Sequence, residues 1–147
     1  MNTNMRTVLY WQEFAEVTVN KCIRPEIGDP FLIITNTGND INLATACLDA
    51  GIRAGADTQM MVISRPHQGV PRKVGPILAD SIRNSKLILV LDTRGFEQAV
   101  DEARSRGARV LVTDVHGVED YVVRALLDVD VEAMNRNAEL VAELWEQ

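Results

Sequence analysis

The sequence has few of the residues that build disulfide frameworks or nucleic-acid-binding surfaces. Its two cysteines, Cys22 and Cys47, both lie within apolar helical patterns. One disulfide between them is an alternative, but we expect buried free thiols, as is usual in a reducing cytosol. Lys and Arg number 15 against 21 Asp and Glu, which gives a formal net charge of −6. Because phosphate binding requires clustered positive charge, this balance argues against a nucleic-acid partner.

Long hydrophobic runs are also absent from the sequence. No segment approaches the ~18 consecutive apolar residues that a membrane-spanning helix requires. The segment Met1–Arg6 has no apolar run behind its arginine, unlike a secretory signal. We therefore expect a cytoplasmic protein with no membrane partner. The 147 residues, 46% of them hydrophobic and 24% charged, fit a single globular domain over residues 1–147.

Apolar stretches of two kinds alternate along the chain and predict its fold. Apolar residues at spacings of three and four predict helices, and short continuous apolar runs predict strands that are covered on both faces. Strands separated by helices imply βαβ units. We therefore expect an α/β fold with an open, mainly parallel sheet of four or slightly more strands and helices on both faces, Rossmann-like or flavodoxin-like. The predicted helices are Thr7–Arg24, Ile41–Ala54, Lys73–Arg83, Phe96–Arg106, Val118–Leu127 and a last helix with an apolar stripe of Met134, Ala138, Val141 and Leu144 or Trp145, which is expected to cover the sheet. The predicted strands are Phe31–Ile34, Gln59–Ile63, Leu87–Leu91 and Arg109–Thr113.

These strands also predict the core of the protein. A strand that is covered on both faces buries consecutive residues rather than alternate ones. The predicted core residues are Leu32, Ile33, Ile34, Met61, Val62, Ile63, Ile88, Leu89, Val90, Val110, Leu111 and Val112.

Polar loops follow all four predicted strands. In an open parallel sheet, ligands bind beyond the carboxyl ends of the strands, near a topological switch point. The candidate ligand-binding residues at these ends are Thr35, Asn36, Thr37, Arg65, His67, Asp92, Arg94, Asp114 and His116. The histidines could shuttle protons near neutral pH and the arginines could clamp a carboxylate. The alternative for each is a solvated loop residue without a function.

The strand-end loops contain no complete nucleotide-binding or catalytic motif. The first loop has one glycine, Gly38, where a dinucleotide fingerprint needs three, and no P-loop sequence exists. A phosphate or carboxylate could dock at the helix N-terminus near Asn39, but we favour Asn39 or Asp40 as the helix cap. Ser64 and Ser85 lack the nucleophile elbow of hydrolases. The sequence therefore assigns no catalytic residue.

A metal site is the other chemistry that these loops could support. Asp92, Asp114, His116 and His67 are of the residue types that bind zinc or iron. Their spacing matches no metal-binding motif, and aspartates at strand ends commonly cap the next helix. We therefore predict no metal ligand in this chain.

Several longer segments resemble one enzyme family. The chain resembles the N-terminal domain of the leucyl aminopeptidase (aminopeptidase T-like) metalloenzymes, which include 2,5-dihydroxypyridine 5,6-dioxygenase-like enzymes. The matching segments are Ile27–Thr35, Arg53–Ala56, Arg65–Pro71, Arg106–Val110, Glu119–Leu126 and Asp128–Met134. The last two are the most specific.

This resemblance implies that catalysis and substrate enclosure are carried out by two different domains. In the family, the metal ligands and most catalytic residues lie in a C-terminal domain that has no counterpart in these 147 residues. The resemblance therefore implies no cofactor in this chain and a divalent metal (Zn, Co, Mn or Fe) only in the C-terminal domain. The chain would wall the active-site cavity of a metal-dependent aminopeptidase-like hydrolase or ring-opening enzyme, support oligomerisation, and be inactive alone.

The implied partners follow from the same resemblance. They are a C-terminal metal-binding domain or subunit, further copies of the chain in a homo-oligomer, and a small-molecule or peptide substrate. Two other functions stay open. One is a stand-alone domain that binds a small anion at the carboxyl edge of the strands, and the other is a self-assembling structural domain.

Overall fold

Four parallel strands form the centre of the protein. The computed structural model describes residues 10–65, 73–92, 95–113, 115 and 130–145. The strands are β1 (Pro30–Asn36), β2 (Asp57–Ile63), β3 (Leu87–Val90) and β4 (Arg109–Val112). They form one open sheet in the order β2-β1-β3-β4, and every neighbouring pair is parallel. This confirms the predicted α/β fold, and the strand order is that of the first four strands of a flavodoxin-like sheet.

Helices cover both faces of this sheet, as predicted. The helices are α1 (residues 10–23), α2 (Ile41–Arg53), α3 (Pro76–Asn84), α4 (Glu97–Ser105) and α5 (Val131–Trp145). Helices α1 and α2 pack on one face, where Phe14, Leu43 and Cys47 join a buried cluster with Phe31 of β1. Helices α3 and α4 pack on the other face. The predicted helix Val118–Leu127 lies outside the described residues.

The two inner strands hold the core, and the two outer strands do not. All residues of β3 and Phe31–Asn36 of β1 are buried, including Leu89 with none of its surface exposed. The prediction that Val62 of β2 is buried is wrong, because 46% of its surface is exposed. A strand at the edge of a sheet has a neighbour on one side only, so its residues are less covered. The other predicted core residues of the outer strands, Met61, Ile63 and Val110–Val112, are half-buried.

Helix α1 changes its winding in its second half. Residues Glu16–Ile23 form a π-helix, and the N–H of Arg24 donates to the Val19 carbonyl, five residues earlier, over 2.8 Å. A π-helix has more residues per turn than an α-helix, so the residues that face the core no longer recur at the α-helical spacing. Ile23 is therefore buried where the regular spacing placed Cys22.

The two cysteines consequently have different environments. Both are free thiols, as expected, but Cys22 is exposed and only Cys47 is buried. Burial raises the pKa of the Cys47 thiol to about 12. The prediction of two buried thiols is therefore correct for Cys47 and wrong for Cys22.

The last helix, α5, packs against α1 rather than over the sheet. Val131 at its start is buried, whereas Met134 and Val141 are exposed over more than half of their surface. The prediction that these two residues cover the sheet is therefore wrong. In the described ranges, no helix is long and apolar enough to cross a membrane.

Candidate functional site

The candidate site lies where the winding of the chain reverses. From β1 the chain crosses to β2 on one side, and it then returns to β3 on the other side of β1. The carboxyl ends of β1 and β3 therefore flank a topological switch point, the usual ligand position in open α/β sheets. Asn36 ends β1, and Asp92 lies just beyond the end of β3.

Asn36 and Asp92 are joined across this point. The Asn36 Nδ2 donates to Asp92 Oδ2 over 2.8 Å, and both residues are buried. The other end of the same amide, Oδ1, accepts a hydrogen bond from the Gly38 N–H over 2.7 Å. The Asn36 side chain thus fixes the loop after β1 to the end of β3.

Asn39 makes a second connection between the same two strand ends. Its Nδ2 donates to the Leu91 carbonyl over 2.5 Å and contacts the Thr35 Oγ1 at 3.5 Å. Its Oδ1 is shielded from solvent and accepts no hydrogen bond in the described part of the chain. Among the described residues, the Asn39 Oδ1 is therefore a buried acceptor without a hydrogen-bond donor.

The cap of α2 is Asp40, not Asn39. The Asp40 Oδ1 accepts from the N–H of Asn42 over 2.9 Å. This satisfies one of the free N–H groups of the first turn. The capping prediction is confirmed for Asp40, while Asn39 turns toward β3.

The N–H groups of the loop after β1 have partners within the protein. The N–H of Thr37 donates to the Ile63 carbonyl over 3.0 Å, and that of Asn39 to the Asn36 carbonyl over 3.1 Å. The N–H of Gly38 is bound to the Asn36 side chain. None of the three is thus directed at a ligand, so the loop lacks the cradle of N–H groups by which phosphate-binding loops hold an anion.

Arg65 brings the end of β2 to the same site. Its N–H donates to Thr37 Oγ1 over 3.1 Å. Its side chain lies against Gly38, where a Cβ would be only 2.6 Å from the Arg65 Cδ. A larger residue at this position would push the flexible Arg65 side chain aside. The loops after β1, β2 and β3 therefore meet at one point.

The structure assembles part of the predicted site. Thr35, Asn36, Thr37, Arg65 and Asp92 lie together at the carboxyl ends of β1, β2 and β3. His67, Arg94, Asp114 and His116 lie outside the described residues and stay predictions. Within the ranges that the structure describes, no three His, Cys, Asp or Glu residues are grouped to hold a metal ion.

Sequence reasoning missed the roles of Gly38 and Asn39 at this site. The sequence alone shows Gly38 as one glycine of an incomplete nucleotide motif, and Asn39 as a candidate cap beside a helix N-terminus. An asparagine four residues after a strand-end Thr is a weak signal, because the Leu91 carbonyl that it binds lies 52 residues away in sequence.

Comparisons with known proteins show a distant structural similarity. No family model matches the chain, and no curated protein matches it. The structure of 2,5-dihydroxypyridine dioxygenase from Pseudomonas putida KT2440 is similar to it, with a TM-score of 0.53 and 12% sequence identity. The match covers 78% of this chain and 35% of the dioxygenase chain. The chain thus spans about a third of that enzyme's length, and what the two share is the fold.

Proposed function

We propose that this chain is the α/β part of a metal-dependent ring-opening enzyme or aminopeptidase-like hydrolase. Its carboxyl edge walls the active-site cavity, and a separate C-terminal domain or subunit holds the catalytic divalent metal. In this proposal the chain binds and orients the substrate and does not itself carry out the reaction.

The observation that carries the proposal is the extent of the structural match. The similarity covers most of this chain but 35% of a named dioxygenase chain. A domain of one fold that corresponds to a third of an enzyme is expected to work with the other parts of such an enzyme. This is an argument from fold, and it therefore requires a functional test.

The carboxyl edge supports the same role through its chemistry. Asp92 and the unused Asn39 Oδ1 are acceptors at the switch point, so they suit a substrate that carries hydroxyl or amino groups. A dihydroxylated ring and the free amino group of a peptide both have such donors. The hydrogen bonds of Asn36 to Asp92 and to Gly38 hold these acceptors in place before a substrate binds.

The test is to express the chain together with the coding sequence that follows codon 147. The product is supplied in turn with Fe(II), Mn(II), Co(II) and Zn(II). Ring opening is followed by the loss of dihydroxypyridine absorbance in the presence of oxygen, and peptidase activity by release of nitroaniline from leucine p-nitroanilide. We expect turnover of one substrate class by the extended protein and none by the 147-residue chain alone.

A matched pair of variants tests the role of the carboxyl edge. In the active protein, Asn36→Ala should raise KM because Asp92 loses a hydrogen bond that helps to position it. Gln98→Ala removes an exposed hydrogen bond on α4 and should leave KM unchanged. Turnover by the 147-residue chain alone, or an absence of turnover with every metal in the extended protein, would contradict the proposal.

A second candidate function is stand-alone binding of a small ligand at the same edge. The shielded Asn39 Oδ1 favours it, because this atom has no hydrogen-bond partner among the residues that the structure describes. The engaged N–H groups of Thr37, Gly38 and Asn39 favour a ligand that does not depend on a cradle of backbone N–H groups. Thermal shift measurements with nucleotides, carboxylates, polyols and amines test this candidate, and no shift with any of the four classes contradicts it.

A further inference from the structure

The outer edge of β2 has no strand partner among the residues that the structure describes. In the described sheet, β2 pairs only with β1. Natural proteins usually protect a strand edge with Lys, Pro or a bulge. Residues 58–63 of β2 (TQMMVI) contain no charge and no proline. Its exposed Val62 adds apolar surface at this edge.

Helix α2 carries an apolar stripe in addition to its buried face. Ile41, Thr45, Leu48 and Ile52 recur at spacings of four, three and four residues, and this is the spacing of a coiled-coil seam. Ile52 is 55% exposed, and Leu48 is half-buried. No residue of the stripe is charged.

The stripe and Val62 lie on the same face of the sheet. A Cβ on Gly51 of α2 would lie 2.6 Å from the Thr58 Oγ1, so Thr58 faces α2. Alternate residues of a strand share a face, so Val62 also lies on the α2 side. We call Ile41, Thr45, Leu48, Ile52 and Val62, together with the outer edge of β2, the β2 edge surface.

We propose that the β2 edge surface binds a second copy of this chain around a two-fold axis. The axis passes perpendicular to the sheet beside β2, so that the two β2 strands pair antiparallel and form one continuous eight-stranded sheet. The same rotation brings the two α2 stripes together on one face. The proposal does not depend on the function proposed above.

The position of α2 over the sheet shows why a second copy fits. The Gly51 Cβ position is 2.6 Å from Thr58 of β2 and 2.9 Å from Phe31 of β1, so α2 lies above the gap between these strands. Paired strands are about 4.8 Å apart. Helix α2 therefore lies half a strand spacing inside β2, and a two-fold axis midway between the two β2 strands lies half a spacing outside β2. The distance from α2 to the axis is one strand spacing. The two α2 helices come about 10 Å apart, which is within the distance at which helices pack.

One rotation therefore gives a partner both to the outer edge of β2 and to the apolar stripe of α2. The strand edge pairs with an antiparallel strand, and the stripe packs against a helix about 10 Å away. Symmetric homodimers are the commonest soluble oligomers because such a surface is complementary to itself. An unrelated partner would have to present a strand and a helix with this same offset.

The test is sedimentation equilibrium of the full chain and three variants over a range of concentrations. Ile52→Glu and Val62→Lys each place a charge in the β2 edge surface. Ile77→Glu is the matched control, because Ile77 is 76% exposed on α3, on the opposite face of the sheet. We expect a dimer for the parent chain and for Ile77→Glu. A buried, unpaired charge should weaken dimerisation at least ~10-fold in the other two.

Circular dichroism melting establishes that each variant is folded before its mass is interpreted. If Ile52→Glu fails to fold, Val62→Lys still tests the strand edge. A parent chain that is monomeric at every concentration overturns the proposal. So does a dimer that Ile52→Glu and Val62→Lys leave intact, or one that Ile77→Glu disrupts equally.

Discussion

The side chains of Asn36 and Asp92 are hydrogen-bonded to each other although they lie 56 residues apart in sequence. The bond is buried and joins the ends of the two central strands. A buried polar group that loses its partner destabilises the folded state more than an exposed one does. The pair therefore contributes to stability as well as to the geometry of the candidate site.

Replacing Asn36 tests that contribution. Asn36→Ala should lower the free energy of unfolding by about 1–3 kcal/mol, because Asp92 and the N–H of Gly38 each lose a partner. Urea denaturation at neutral pH measures the change. Gln98→Ala, which removes an exposed side-chain hydrogen bond, is the control and should change stability by less than about 0.5 kcal/mol. Equal losses of unfolding free energy in the two variants would show that the buried Asn36 hydrogen bond stabilises the protein no more than an exposed one does.

The opposite end of the sheet depends on Asp29. Its Oδ1 accepts from the Lys86 Nζ over 2.7 Å, its Oδ2 accepts from the N–H of Glu26 over 3.0 Å, and Arg109 lies 3.7 Å away. The hydrogen bond from Lys86, followed by that from Glu26, lowers the pKa of the Asp29 carboxyl below its ordinary value. The carboxylate thus links the start of β1 to the residues around β3 and β4.

Because the pKa of the Asp29 carboxyl is lower in the folded state, the free energy of unfolding depends on pH in the acid range. The contribution of Asp29 is fully present above its unfolded pKa, which is about 3.9. It is lost as the pH falls through the lower folded value, because the unfolded chain binds the proton first. Asp29→Asn should therefore flatten the fall in unfolding free energy below pH ~4. Urea titrations at a series of pH values measure the slope.

The control for Asp29 is Asp80→Asn, which removes one carboxylate from an exposed ion pair with Arg83. It should retain the acid dependence of the parent chain. A parent-like slope in Asp29→Asn would mean that the network around Lys86 does not stabilise the fold.

Gly51 permits the close approach of α2 to the sheet. Alanine normally stabilises a helix interior by about 1 kcal/mol relative to glycine. Here the added Cβ would lie 2.6 Å from the Thr58 Oγ1 and 2.9 Å from the Phe31 Cδ1. We expect overpacking to prevail and Gly51→Ala to be less stable by about 1–2 kcal/mol in thermal or urea unfolding.

A double variant separates overpacking from other effects of Gly51→Ala. Thr58→Ala removes two of the three nearest atoms, so adding it to Gly51→Ala should cost less than the sum of the single changes. If the losses of unfolding free energy in the two single variants simply add in the double variant, the destabilisation by Gly51→Ala does not come from its contact with Thr58.

Leu89 tests which strand is central. Its side chain is fully buried in β3, so Leu89→Ala should cost roughly 2–5 kcal/mol. Val62→Ala at the exposed edge of β2 should cost less than about 1 kcal/mol. Chemical denaturation of both variants provides the comparison, and a loss below about 1 kcal/mol for Leu89→Ala would contradict the central position of β3.

Local sequence signals were sufficient to predict the elements and the class of the fold. The continuous apolar run Phe31–Ile34 predicts a strand covered on both faces, and Asp40 predicts the start of α2. Helix α3 begins at Pro76, three residues after the predicted start at Lys73, because the fixed backbone angle of proline favours the first helical position. These signals depend on neighbouring residues only, so they can be read without the rest of the chain.

Features that depend on distant parts of the chain could not be predicted in this way. The exposure of Val62 follows from the crossover that places β2 outside β1, and nothing in β2 itself encodes that position. Asn39 binds a carbonyl that only the folded sheet brings near. The exposure of Cys22 follows from the π-helix, whose altered winding the spacing of apolar residues does not reveal.

The strand order also determines when the chain can begin to fold during synthesis. β1 lies between β2 and β3, although both follow it in sequence. β1 is therefore synthesised before both of its neighbours, and its apolar residues must wait for Leu87–Val90 before the second neighbour can pair. Parallel pairing over such separations is slow, so this waiting period is when a chaperone would be most useful to the nascent polypeptide.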